Sequence, residues 1–258
     1  MDGRSPNYNE MSRLQRRAMW RAGADIQMAM SVLEVPEEEM KVRKEELETI
    51  VRAQQRALSL SNAELDKQIV LIRGLTGATL HYSMHPGNFI FGTHPWSENN
   101  VIGVIDWSNS TGILTDDWIR GFVDPVTPWV RGPGPYDLNQ VRFNIEDFEE
   151  ALEVYSDRFL GAGRHIPQAE QFYLLPALLR DLLERHLRAA THAAHVDIWK
   201  RVLRSFDDPE ARVLERLNRA IEKLVVAHAP VQGARAARPI RVADEVLHEL
   251  TDLVRMYP

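Results

Sequence analysis

His81-Tyr82-Ser83-Met84-His85-Pro86-Gly87-Asn88-Phe89-Ile90-Phe91, followed after a polar excursion by Val101-Ile102-Gly103-Val104-Ile105-Asp106-Trp107, is the most structured pattern in the chain. A polar loop ends in Asn88, an apolar strand runs from Phe89 to Phe91, the residues from Gly92 to Asn100 are turn formers, and a second strand runs from Val101 to Ile105. A hairpin this short delivers Asp106 beside the first loop. An amide oxygen and a carboxylate brought together in this way can hold a hard cation.

The same residues resemble the catalytic core of the aminoglycoside phosphotransferase and choline kinase-like family. Its loop usually reads His-Gly-Asp-Leu-His-Pro-Gly-Asn, and its second strand ends in Ile-Asp-Trp or Ile-Asp-Phe. His81, His85, Pro86, Gly87, Asn88, Ile105, Asp106 and Trp107 carry the likeness, in order and at matching spacing. It implies a protein-kinase-like C-terminal lobe. There the loop acid activates a substrate hydroxyl, while Asn88 and Asp106 hold magnesium on nucleotide phosphates.

Two departures change what the resemblance implies. The loop acid of the family falls on Ser83 and the glycine before it on Tyr82. A neutral hydroxyl neither accepts a proton near pH 7 nor carries the charge that orients a substrate hydroxyl. The family also needs a strand-rich N-terminal lobe with a phosphate-covering loop and a nucleotide-contacting lysine, and residues 1–75 read as helical. Met11, Leu14, Ala18, Ala22, Ile26 and Met30 recur at helical spacing. Pro36 followed by three glutamates starts a second helix that runs to about Leu58. Ser61 and Glu64 form a Ser-x-x-Glu capping box opening a third helix, which ends at Gly74.

After Asp106, the family continues toward Gly-Asp-Pro-x-x-Asp-Leu, whereas here Thr115-Asp116-Asp117-Trp118-Ile119 opens a short helix with Thr115 as its N-cap. Asp124 to Asp137 reads as a long proline- and glycine-rich loop holding Trp129. Helices are expected over Ile145 to Leu160, over Gln168 to about Ala194 with a break at Pro176, over Val196 to Phe206, and from Asp208 through Val225. Val242 to Met256 is amphipathic, and its apolar face needs a partner, either the domain itself or a second subunit in a homodimer. The expected fold is therefore α+β and mostly helical: a kinase-like C-terminal lobe with a small β-hairpin and no N-terminal lobe. Its expected divisions are a helical segment over 1–61, the lobe over 62–229, and a linker with a C-terminal helix over 230–258.

With 258 residues and 44% hydrophobic content, the chain can bury a sizeable core. The net charge of -6 argues against nucleic acid as a partner. No apolar run approaches the roughly 20 residues that span a bilayer, so no membrane partner is expected. The first residues lack an apolar signal core, and the chain has no cysteine, which together point to the cytoplasm.

Loss of kinase-specific parts beside a retained polar loop leads to the favoured reading. This is a repurposed phosphotransferase-like enzyme that performs acid–base chemistry, such as cyclisation, dehydration or isomerisation, on a small biosynthetic intermediate. His85 or Asp106 is the expected base, His81 and Ser83 complete the catalytic group, and Asn88 holds a substrate oxygen between apolar walls that include Trp107, Trp118 and Trp129. Ser83 lacks the Gly-x-Ser-x-Gly setting of a nucleophile. No cofactor is expected; magnesium, on Asn88 and Asp106, is the one that the resemblance leaves open. Two other readings stand beside it: phosphotransfer from ATP and magnesium to a small-molecule hydroxyl, and a non-catalytic pseudokinase scaffold.

Overall fold

The computed structural model describes residues 3–4, 10–81, 84–107, 110–119, 145–191 and 193–230. Ser83, Trp129, the loop over 124–137 and the expected C-terminal helix lie outside them. The elements in chain order are β1 (Gly3–Arg4), α1 (Arg13–Met30), β2 (Glu34–Val35), α2 (Glu37–Gln54), α3 (Asn62–Gly74), β3 (Gly77–Leu80), β4 (Phe89–Gly92), β5 (Val101–Val104) and β6 (Ser110–Gly112). They continue with α4 (114–119), α5 (Ile145–Gly161), α6 (Leu175–Ala189), α7 (Ala193–Asp207) and α8 (Val213–His228). The fold is α+β and mostly helical.

The helices form where apolar residues recur at helical spacing and where side chains satisfy the free amides of the first turn. Ser61 accepts from the Glu64 amide while Glu64 reaches back to the Ser61 N–H, the expected capping box. Ser12 and Gln15 do the same for α1. One continuous core runs from Met11 to Val225, with Met40, Leu47, Phe89, Phe148, Leu179 and Leu217 among its members. Within it α5 packs against both α1 and α8, and α2 against α3 and α6.

The strands form two small antiparallel sheets, ordered β1-β4-β5 and β2-β3-β6. The expected hairpin is β4–β5. The partner strands were not expected, because elements of two to four residues are too short to display alternation.

Three local expectations are corrected or refined. Thr115 is not an N-cap: it lies inside α4, fully buried, and its N–H and hydroxyl both donate to Gln171 Oε1 at 3.1 Å. The helix start is closed instead by Asp116, whose carboxylate accepts from the Ile113 N–H at 3.0 Å. The break expected at Pro176 falls just before it, where a 3₁₀ segment over Ala169–Leu174 gives way to α6, so that Pro176 stands in the first turn of a helix rather than inside one. The helix expected from Asp208, α8, begins instead at Val213, after Arg212 turns the chain with φ of 50°.

Candidate functional site

The β4–β5 ladder pairs Phe89 with Val104 and Ile90 with Gly103. It extends one step beyond the strands, where the Ile105 N–H donates to the Asn88 carbonyl at 2.9 Å. That bond sets Asn88, which is buried, beside the residue that precedes Asp106. Pro86–Asn88 make a single 3₁₀ turn, closed by the Asn88 N–H donating to the His85 carbonyl at 3.0 Å. The half-buried His85 ring folds back over this turn: a Cβ on Gly87 would stand 3.0 Å from its Cε1 and Nδ1. Glycine at 87 is what lets the ring lie there.

Asp106 leaves β5 with φ of 58°, the left-handed region, and its side chain is exposed. Aspartate tolerates this conformation better than most residues, yet it still stores on the order of 1 kcal/mol of strain. Trp107 follows and closes the turn by donating Nε1–H to the Val104 carbonyl at 3.1 Å. Its ring, 41% exposed, meets the His81 ring edge-on at 4.4 Å.

His81 is fully buried. Its main-chain N–H donates to Asp117 Oδ2 at 3.0 Å, so an acid of α4 braces the loop by its backbone. Burial drives the His81 pKa down to about 4; the Asp106 carboxylate pulls against that, and His85 pushes in the same direction as burial. Both His85 and Asp106 therefore lie within electrostatic reach of the His81 ring. The three groups expected to work together share one neighbourhood, with His81 held neutral at pH 7.

Trp118 does not line this site. It is 1% exposed and packs edge-on against Phe148, Tyr155 and Phe172 in the core. Successive helix residues point roughly 100° apart, so Asp117 turns to the loop while Trp118 turns inward. In the sequence Asp116 and Asp117 read as helix-start acids, with the lesser alternative that one of them orients a loop histidine; Asp117 holds the main chain of one, His81. The signal in the sequence was the doubled acid after a strand, which does not reveal a partner 36 residues away.

As a magnesium site, the pair offers one carboxylate and one amide oxygen. Magnesium held that way takes its remaining positions from water or phosphate, and among the described residues no group of three or more histidine, aspartate or glutamate side chains converges as a metal cage. Asn88 and Asp106 suit a cation only in company with a ligand's phosphates. Among the described residues no helix is long and apolar enough to cross a membrane. No protein-family model matches the chain, and no curated protein matches it in sequence.

Proposed function

We propose that the protein is an acid–base enzyme acting on a small molecule, built on a fold that resembles the C-terminal half of an aminoglycoside phosphotransferase. The observation that carries the reading is the grouping of His85 and Asp106 around a neutral, buried His81, with Asp106 held in a strained backbone conformation at the end of β5. His85 sits on a fixed turn at the surface of the loop and takes a proton from substrate. The imidazolium so formed returns the proton to the neighbouring atom, and the Asp106 carboxylate, exposed in the same neighbourhood, steadies it. His81 positions the pair: its main chain is bonded to Asp117, and its ring, neutral at pH 7, packs edge-on against Trp107. Asn88 supplies an amide to a substrate oxygen, and Trp107 supplies an apolar wall.

Phosphotransfer draws support from Asn88 and Asp106 alone. Against it stand Ser83 in place of the loop acid and the helical character of α1, α2 and α3, where the family carries a strand-rich lobe. The cytoplasm is the compartment that fits a cysteine-free chain of this composition.

The test is isotopic. The protein is incubated in D₂O with a fractionated small-molecule extract, and deuterium uptake into individual species is read by mass spectrometry, in the wild type and in His85→Gln and Asp106→Asn. Uptake into one species by the wild type, lost in both variants, is the expected result. A phosphorylated product formed only with ATP and magnesium would restore the phosphotransferase reading. Neither outcome, together with unchanged stability on adding ATP and magnesium, would leave the scaffold.

A further inference from the structure

A cavity of about 260 Å³ opens between α2, α6 and the β3–β6 strands, lined by residues other than those of the hairpin site. Leu80, Ile119, Leu178 and Leu182 make its apolar walls; Arg43, Glu46, Asp116 and Arg185 stand around it. The two acids differ in how firmly they are held. Asp116 accepts from the Ile113 N–H at 3.0 Å and from Arg43 Nε at 3.2 Å, and its other oxygen accepts from Arg43 Nη2. Its side chain is only 12% exposed. Glu46 is 46% exposed and, among the described residues, bonded to no backbone group; it lies between two guanidinium groups, 2.7 Å from Arg43 Nη1 and 3.6 Å from Arg185 Nη2, the latter also held by Asp181 at 2.5 Å.

Glu46 thus occupies the place of a carboxylate ligand at a cavity with one apolar and one polar, charged side, through contacts of the exposed kind that contribute little to stability. Arginine pairs favour planar carboxylates through parallel N–H donors. Arg43 stays charged: burial, the largest single influence, would lower its pKa, but the Asp116 and Glu46 carboxylates together more than offset it. At about 30 Å³ for each water-sized group, the cavity takes on the order of ten non-hydrogen atoms, at the small end of ligand pockets.

We propose that this cavity binds a small amphipathic carboxylate, whose acid group displaces Glu46 from between Arg43 and Arg185 and whose apolar tail lies against Leu80 and Leu178. The site is independent of the acid–base chemistry assigned to the hairpin.

The probe is octanoate, with octanamide and acetate as controls for charge and tail, titrated against the full chain by calorimetry. The variants are Glu46→Gln, which takes a charged acceptor from Arg43, and Arg185→Gln, which also releases Asp181; thermal melts of both verify that the fold is kept. Octanoate is expected to bind the wild type, with octanamide and acetate at least roughly tenfold weaker. Glu46→Gln should tighten octanoate by roughly fivefold, as the internal competitor is removed, and Arg185→Gln should weaken it by about tenfold. Equal binding of octanoate and octanamide overturns the proposal. So does octanoate affinity unaltered in both variants, or no binding to either the wild type or Glu46→Gln at millimolar ligand.

Discussion

The main-chain N–H of His81 donates to the carboxylate of Asp117 at 3.0 Å, with both residues buried. This contact fixes the start of the polar loop to α4. Removing the acceptor leaves a buried amide unsatisfied, which costs roughly 1–3 kcal/mol. Asp117→Ala is therefore expected to lower the unfolding free energy measured by urea titration by that amount, and Asp117→Asn, which keeps an acceptor oxygen, by less. Equal loss in the two variants would mean that the carboxylate's charge, not its acceptor oxygen, is what matters.

Gly112 tests how tightly α4 is packed on β6. A Cβ there would stand 2.5 Å from Asp116 Oδ2 and 2.7 Å from Leu80 Cδ1, so alanine must push aside a carboxylate already committed to Arg43. Gly112→Ala should destabilise by about 1–3 kcal/mol. Gly74, at the end of α3, has no atom within 4 Å of an added Cβ, and Gly74→Ala should be neutral or stabilising by roughly 0.5 kcal/mol. Thermal melts of the two variants side by side give the contrast.

The helices and the hairpin were legible because each leaves a local signature: apolar residues at helical spacing, Ser61 with Glu64, an apolar run ending in Ile105-Asp106. What stayed illegible depends on partners distant in sequence. Thr115 and Asp116 are both good capping residues. Only the folded chain decides between them, since Gln171 claims the Thr115 hydroxyl and leaves the cap to Asp116. Trp118 read as an apolar wall of the site, yet one step along a helix from Asp117 is enough to turn it into the core. The left-handed turn at Asp106 could not be read either, as nothing in Val104-Ile105-Asp106-Trp107 calls for glycine-like geometry.

Acid should weaken the fold through His228. Its Nδ1 accepts from the Ile166 N–H at 2.9 Å, so the ring proton sits on Nε2, 3.2 Å from Ser156 Oγ. A second proton would have to face the Ile166 N–H. Burial, with His165 adding to it, pushes the pKa down from the ordinary 6.5 to about 4. Between those values the unfolded chain binds more protons than the folded one. Stability is thus complete above about 6.5 and falls as pH drops toward 4, by on the order of 1 kcal/mol once solvent screening is allowed for. His81 titrates in the same window, so His228→Phe should flatten the pH dependence of the urea midpoint without abolishing it. An unaltered slope in that variant would remove His228 as a cause.

Asp106 separates a functional carboxylate from a structural one. Its left-handed φ of 58° is a conformation that glycine adopts without strain. If the side chain stands there for chemistry, Asp106→Gly should melt at the same temperature as the wild type or higher, by up to about 1 kcal/mol of added stability, while losing deuterium transfer. Asp106→Val, β-branched and unsuited to the conformation, should lose roughly 2 kcal/mol. The opposite result for glycine, a clear loss of stability, would mean that the carboxylate holds the turn together. The base would then have to be sought in His85 alone.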